Sequence, residues 1–290
     1  MRRLGRGCAT ASGMSGRYAC IILDFDGTFT DVEREAVPFL ARYREGLGRL
    51  IGRDPDGAWD RAVAAVESDL DAHGFEFDGR IVAPSHADPY ILATSVARLV
   101  FAESGEDHDV DGALETLFKE SYGCADTAFR PEAGQVVQAV LGQDAPVYVV
   151  TNSNTEHVKK KIRALSEDAL ARLDVRGDAK KFHLVDPDES DPRFDAVPDA
   201  LDVDGLSRPL YLRRGRYFET LRDIWSETDT RPEDTLVCGD IFELDLALPA
   251  QLGARVHLVT RPNTPEWERR AVQQVGGTWS ERLTGVLDQL

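Results

Sequence analysis

The sequence predicts an α/β protein, with a Rossmann-like parallel sheet, helices on both faces and a second, helical unit inserted after the first strand. Three observations predict it. Short apolar runs recur at Tyr18–Leu23, Val147–Val150 and Leu236–Cys238, each ending abruptly in polar residues. Apolar residues three and four apart fill the stretches between them, and strands alternating with helices imply a parallel sheet. About a hundred residues between the first two runs carry mainly helical patterns. In such sheets, ligands bind beyond the carboxyl ends of the strands.

Residues 1–17 hold Arg2, Arg3, Arg6 and Arg17, no acid, and several Gly and Ser. No apolar run follows the arginines, so they read as a disordered tail, or as an upstream start with Met14 the real one. The first strand ends in Asp24-Phe25-Asp26-Gly27-Thr28. Side chains repeat with period two along a strand, so Asp24 and Asp26 share one side. Two close carboxylates repel unless a cation lies between them or one keeps its proton. With a glycine to turn the backbone, this strand end reads as a site for Mg²⁺ and a phosphate.

Helical patterns then cover 33–51, 57–71, 88–103 and 110–121, as in Leu40, Tyr43, Leu47 and Leu50. An irregular piece, 72–87, holds His73, Phe75, Phe77, Pro84 and His86. Arg130–Gly134 opens the return. A helix over 133–142 leads to the strand ending at Thr151, and a helix over 155–172 offers a Glu156–Lys160 pair one turn apart. Leu173–Ala179 reads as a short strand, and the Asp- and Pro-rich 184–208 as a solvated excursion. Pro209–Leu212 reads as a strand and 215–227 as a helix. A strand ending in Gly239-Asp240 has Asp245 five residues on. A helix over 243–252, a strand over Val256–Thr260 and helices near 265–275 and 279–289 complete the pattern.

The chain of 290 residues is 42% apolar, enough for one large core or two unequal domains. Mean hydropathy is −0.32, and no apolar run approaches the roughly 20 residues of a membrane span. The net charge of −17 makes nucleic acid and anionic membranes poor partners. Four cysteines without a CxxC pair fit a reducing cytosol, with Cys20 and Cys238 as small core residues.

Strands ending in Asp24-Phe25-Asp26, in Thr151 and in Gly239-Asp240 followed by Asp245, in that order, resemble the haloacid dehalogenase-like (HAD) hydrolase superfamily. The resemblance runs from about Tyr18 to the C-terminus, apart from the insert. It implies a catalytic core of 18–30 and 131–290, and a helical cap domain, 31–130, that covers the site and selects the substrate. It further implies that Asp24 is the nucleophile and forms an aspartyl-phosphate. Asp26 would protonate the leaving alcohol and then deprotonate the attacking water, which requires a pKa nearer neutrality than about 3.9. Mg²⁺ would be held by Asp24, the main-chain carbonyl of Asp26 and Asp240. Thr151 would hydrogen-bond a phosphoryl oxygen, and Asp245 would bind a metal water or hold a basic side chain.

A lysine completes the family's site, and here the match departs. Lys180 and Lys181 suit the residue type, whereas Arg213 and Arg214 suit the position before the helix leading to Asp240. Lys180 is expected to serve, with Arg214 as rival or second phosphate clamp. Lys181, as its neighbour on a strand, is expected to point away.

The implied activity is that of a cytoplasmic Mg²⁺-dependent phosphatase acting on a small phosphorylated metabolite. Asp26 argues against a dehalogenase, because halide leaves without a proton. Phosphonatase-like members lack this acid and use a cap lysine, and the insert has only Lys119. A sugar phosphomutase and a non-catalytic binding protein of the same fold are the alternatives. Trp59, Phe75 and Tyr90 read as core residues of the insert, and His73 and His86 as candidates to face the site. No motif names the ester or the oligomeric state.

Overall fold

The computed structural model describes residues 17–105 and 110–290. Nearly all of 1–17, where a tail or a second start was expected, lies outside the described residues.

Strand β1 (Cys20–Leu23) leads to α1 (Val32–Leu50), α2 (Asp56–Ser68), β2 (Gly74–Phe77), β3 (Arg80–Pro84), α3 (Pro89–Ser104) and α4 (Val110–Tyr122). The chain returns through α5 (Ala133–Leu141), β4 (Val147–Val150), α6 (Thr155–Leu165), α7 (Glu167–Arg172) and β5 (Asp174–Arg176). Then come α8 (Pro192–Asp195), β6 (Ala200–Leu201), β7 (Leu210–Tyr211), α9 (Gly215–Thr228) and β8 (Thr235–Gly239). The last elements are α10 (Ala247–Gln251), β9 (Arg255–Val259), α11 (Glu266–Gln274) and β10 (Thr278–Ser280).

Among the described residues, six strands form one parallel sheet in the order β10-β9-β8-β1-β4-β5. Ile22 of β1 stands between Tyr148 of β4 and Val237 of β8. Both faces of these strands are covered, so they read as continuous apolar runs rather than alternating ones. Ile22, Val150 and Val237 pack on one face against Phe218, Leu221 and Trp225 of α9. Ile21, Leu23 and Val149 pack on the other against Val136 and Val140 of α5 and Ile162 of α6. Because β1 has β4 on one side and β8 on the other, the loops after all three converge at a switch point.

Residues 32–122 hold an apolar cluster of their own, with Phe39, Tyr43, Leu47, Trp59, Val96 and Phe101 at its centre. Helix α3 shows why its ends fall where they do. The Asp88 side chain caps the start, Pro89 takes the first helical position, and Gly105 closes the end at φ 74°. The two connections between this unit and the sheet meet at a bridge between Thr30 and Phe129.

Four expectations need correction. The irregular piece 72–87 contains the hairpin β2–β3, whose turn residues Asp78 and Gly79 both have positive φ (50° and 69°). The excursion 184–208 is polar in composition yet anchored, because Phe194, Val197, Val203 and Leu206 join the main core. Pro209–Leu212 contributes β7, which pairs with β6 outside the main sheet. The last expected helix is β10 followed by a 3₁₀ turn over Leu283–Gln289, and the strand-forming Thr278 and Trp279 account for the change.

Candidate active site

The carboxyl ends of β1 and β8 bring three acids together. Asp24 follows β1 and is 8% exposed, and its N–H donates to the Cys238 carbonyl at 2.8 Å. Asp240 follows β8, and Asp245 lies in the π-helical turn Phe242–Leu246. Each brings a carboxylate oxygen within 4.8 Å of the other two. Two glycines permit this crowding. A Cβ on Gly27, at φ 85°, would lie 2.2 Å from Asp240 Oδ2, and one on Gly239 would lie 2.4 Å from the Asp245 Cβ.

Lys181 joins the cluster. Its Nζ lies 2.7 Å from Asp24 Oδ1 and 2.9 Å from Asp245 Oδ1. Thr28 Oγ1 donates to Asp24 Oδ2 at 3.1 Å, and the Ile241 N–H donates to Asp245 Oδ2 at 3.0 Å. Arg261 Nε stands 2.7 Å from Asp240 Oδ2, an ion pair bent too far to be a hydrogen bond. Burial pushes the Asp24 carboxyl well up, with Lys181 opposing it and Asp245 and Asp240 adding to it. Burial likewise pushes Asp240 up to about 7, against Arg261. Burial disfavours the Lys181 charge, but Asp24 and Asp245 outweigh it and hold the ammonium protonated. A point ringed by three carboxylates, short of positive charge, suits a hard cation with oxygen ligands, as Mg²⁺ is.

The second acid of the first motif faces a different cation. Asp26 Oδ1 lies 2.8 Å from Lys161 Nζ, which also lies 3.0 Å from Glu35 Oε2. Asp26 Oδ2 accepts from Thr151 Oγ1 at a long 3.4 Å. Thr151 Oγ1 itself accepts from the Ser153 N–H at 3.1 Å. Asn154, not Thr151, caps α6 by accepting from the N–H groups of Glu156 and His157.

No family model matches the chain, and no curated protein matches it in sequence. Solved structures do match in shape. A HAD-hydrolase of Bacillus subtilis bound to magnesium is 14% identical, with a TM-score of 0.54 over 94% of this chain and 98% of that one. A predicted phosphoglycolate phosphatase of Haemophilus somnus is 15% identical, with a TM-score of 0.51 over 94% and 98%. A Thermotoga maritima protein named as a beta-phosphoglucomutase is 11% identical, with a TM-score of 0.52 over 93% and 99%. The chain has the HAD fold.

On this HAD fold, the expected residues fall into two sets. Asp24 and Asp240 meet in one cluster, with Asp245 beside them, while the Asp26 side chain and Thr151 stand together next to it. Lys180 does not reach the cluster. It is exposed, adopts φ 51°, and Lys181 takes the contact instead. The alternation argument fails because β5 ends at Arg176, so both lysines lie in a loop. That loop is fixed by Asn152 Oδ1, which accepts from the Lys181 N–H at 2.8 Å. Arg214 does not aim at Asp24 either. Fully buried, it donates to the carbonyls of Lys181 (2.7 Å), Tyr211 (3.0 Å) and Val82 (2.9 Å). It braces the backbone that carries Lys181 and ties it to β3.

Lys161, Glu35, Thr28 and Arg261 were missed. Lys161 had a signal, since it shares the buried face of α6 with Val158 and Ile162. A lysine in an apolar stripe calls for a buried acid. Of the two histidines, His86 has both ring nitrogens buried without a partner, and burial, reinforced by Arg261, lowers its pKa to about 4.

Proposed function

We propose that the chain is a Mg²⁺-dependent phosphatase that hydrolyses a small phosphate ester through a phosphorylated Asp24. One observation carries this reading: Lys181 bridges Asp24 and Asp245 while Asp240 stands within 4.8 Å of both. That arrangement combines a carboxylate nucleophile, a fixed cation and an oxygen-lined metal position at one point.

A carboxylate oxygen of Asp24 attacks phosphorus, and the bond from phosphorus to the leaving oxygen breaks. Asp26, within reach of the phosphoryl-binding Thr151, gives its proton to that oxygen. Asp26 then takes a proton from water as the water attacks phosphorus, and the bond to Asp24 breaks. Thr28 and Lys181 hold the nucleophile in one orientation, which supplies the proximity term. Lys181 and the Thr151 hydroxyl face the charge carried by the phosphoryl oxygens. Asp24, Asp240 and the Asp26 carbonyl would hold Mg²⁺, with Asp245 near enough to bind directly or through water. Bound there, Mg²⁺ neutralises phosphoryl charge and aligns the group.

The presence of Asp26 supports phosphate transfer over dehalogenation, because an alkoxide needs a proton and a halide does not. The magnesium in the Bacillus neighbour supports the choice of metal. Among the described residues no helix is long and apolar enough to cross a membrane. We assign the enzyme to the cytosol with its small phosphorylated substrate. The test is phosphate release from p-nitrophenyl phosphate, abolished by EDTA, restored by Mg²⁺ and absent in Asp24→Asn. Turnover that ignores EDTA would count against the metal, and turnover surviving in Asp24→Asn against the nucleophile.

A further inference from the structure

The buried and half-buried cations that surround this site are already committed, Arg130 to the carbonyls of Gly27 and Thr260. Lys181 carries Asp24 and Asp245, and Lys161 carries Asp26 and Glu35 at 2.8 and 3.0 Å. Arg261 spans Asp240 and Glu33 at 2.7 and 3.0 Å. Arg208 grips both oxygens of Glu243, at 2.9 and 2.6 Å, and Arg214 stands 3.6 Å from the same acid.

The leaving oxygen must lie beside Asp26 if that residue protonates it. Asp88, Tyr90, Tyr122 and His157 are near enough to Asp26 to feel its charge. Burial holds both phenols protonated, and burial with Lys161 holds the imidazole towards its neutral form. Asp88 is half-buried and spends its Oδ1 on the Tyr90 N–H at 2.6 Å. This side therefore offers hydroxyls, ring faces and three carboxyl groups (Asp26, Glu35 and Asp88) against the ammonium of Lys161 and the guanidinium of Arg261, which acts on Asp88 but is already paired with Asp240 and Glu33. His86, two residues before Asp88, has two unpartnered buried nitrogens.

We infer that the substrate is a phosphate monoester whose leaving alcohol carries no second anionic group: a hydroxylated or amino alcohol, rather than a phosphorylated acid or a bisphosphate. The inference rests on the phosphatase reading above, which puts the leaving oxygen at Asp26. A second anion there would be buried beside carboxyl groups whose cations are already paired, the costliest kind of unpaired charge. Hydroxyls find partners in the phenols, and an ammonium finds Asp88 and the aromatic faces.

Three esters of one two-carbon frame test this with the full chain and Mg²⁺: 2-phosphoglycolate, 2-hydroxyethyl phosphate and O-phosphoethanolamine. The expected result is a kcat/KM at least about tenfold higher for each of the latter two than for 2-phosphoglycolate, the scale of one modest charge penalty. The same order is expected when each is read as a competitive inhibitor of p-nitrophenyl phosphate hydrolysis, which covers slow turnover. Glu35→Gln, which leaves Lys161 with one carboxylate, should narrow the gap. A 2-phosphoglycolate value equal to or above the others overturns the inference, as does a gap that Glu35→Gln leaves unchanged. No hydrolysis of p-nitrophenyl phosphate at all would instead contradict the phosphatase reading and take this inference with it.

Discussion

Lys161 of α6 grips Asp26 at 2.8 Å, and the same ammonium lies 3.0 Å from Glu35 in the first turn of α1. One buried cation thus fixes the acid of the first motif and ties the sheet's helices to the inserted unit. Its charge is held by those two acids against the cost of burial. A general acid works only when held within reach of the leaving oxygen, and here Lys161 takes Oδ1 of Asp26 and leaves Oδ2 towards Thr151.

Lys161→Met should therefore lower kcat/KM for an alkyl phosphate by about 10²-fold or more, the usual worth of a general acid. For p-nitrophenyl phosphate, whose leaving group needs no proton, the loss should be much smaller. Stability should fall by about 3 kcal/mol, because two buried carboxylates lose their cation. Kinetics with both esters and urea denaturation check this, and equal losses on both esters would reduce Lys161 to a structural role.

The two adjacent lysines should separate cleanly. Lys181→Ala should lower kcat about 10²-fold or more, the scale of one preorganised stabiliser. Lys180→Ala, an exposed side chain, should stay within about twofold of wild type. Arg214→Ala should chiefly lower stability, since it strips three carbonyls of their donor and leaves the fully buried Glu243 with Arg208 alone. A silent Lys181→Ala would remove that residue from the site.

Much of this fold can be read from the sequence, and the reasons are local. β1, β4 and β8 are buried on both faces, so their residues form unbroken apolar runs whose ends mark the site. The faces of α1 follow from the spacing of Tyr43 and Leu47. What could not be read depends on backbone geometry or distant contacts. Asp178 and Lys180 both take left-handed φ values (53° and 51°), which turns the loop so that residue 181, not 180, looks inward. The β2–β3 hairpin is short and half exposed, and it is held by contacts remote in sequence. Phe75 meets Phe182 and Phe77 meets His183, both at 4.8 Å between ring centres. Lys161 required knowing that Asp26 and Glu35 of α1 meet at its ammonium, which no helical period reveals.

Asp240→Asn should shift the Mg²⁺ dependence of activity to at least about tenfold higher metal, because one charged ligand is lost from a small oxygen-lined site. Isothermal titration of the apo protein reads the same change without turnover. An unchanged Mg²⁺ affinity would remove Asp240 from the metal position.

His257 makes a pH prediction away from the site. Its ring is buried between Thr278 Oγ1 (2.7 Å) and Ser280 Oγ (2.9 Å), and burial lowers its pKa to about 4, against Asp288. The unfolded imidazole takes a proton near pH 6.5 and the folded one does not, so the unfolded state gains protons first. This group's contribution to stability is present above about pH 6.5 and is lost as pH falls towards 4. Between pH 7 and 5, wild type should lose about 2 kcal/mol more than His257→Gln. Parallel denaturation curves for the two proteins across that range would refute it.

The central claim is that Asp24 becomes phosphorylated. Acid quenching during turnover, borohydride reduction and peptide mass spectrometry test it directly, because reduction converts an aspartyl-phosphate to homoserine. The account predicts homoserine at position 24, dependent on substrate and Mg²⁺ and absent in Asp24→Asn. Homoserine at another aspartate, or none at position 24 during rapid turnover of an alkyl phosphate in wild type and Lys161→Met alike, would contradict it.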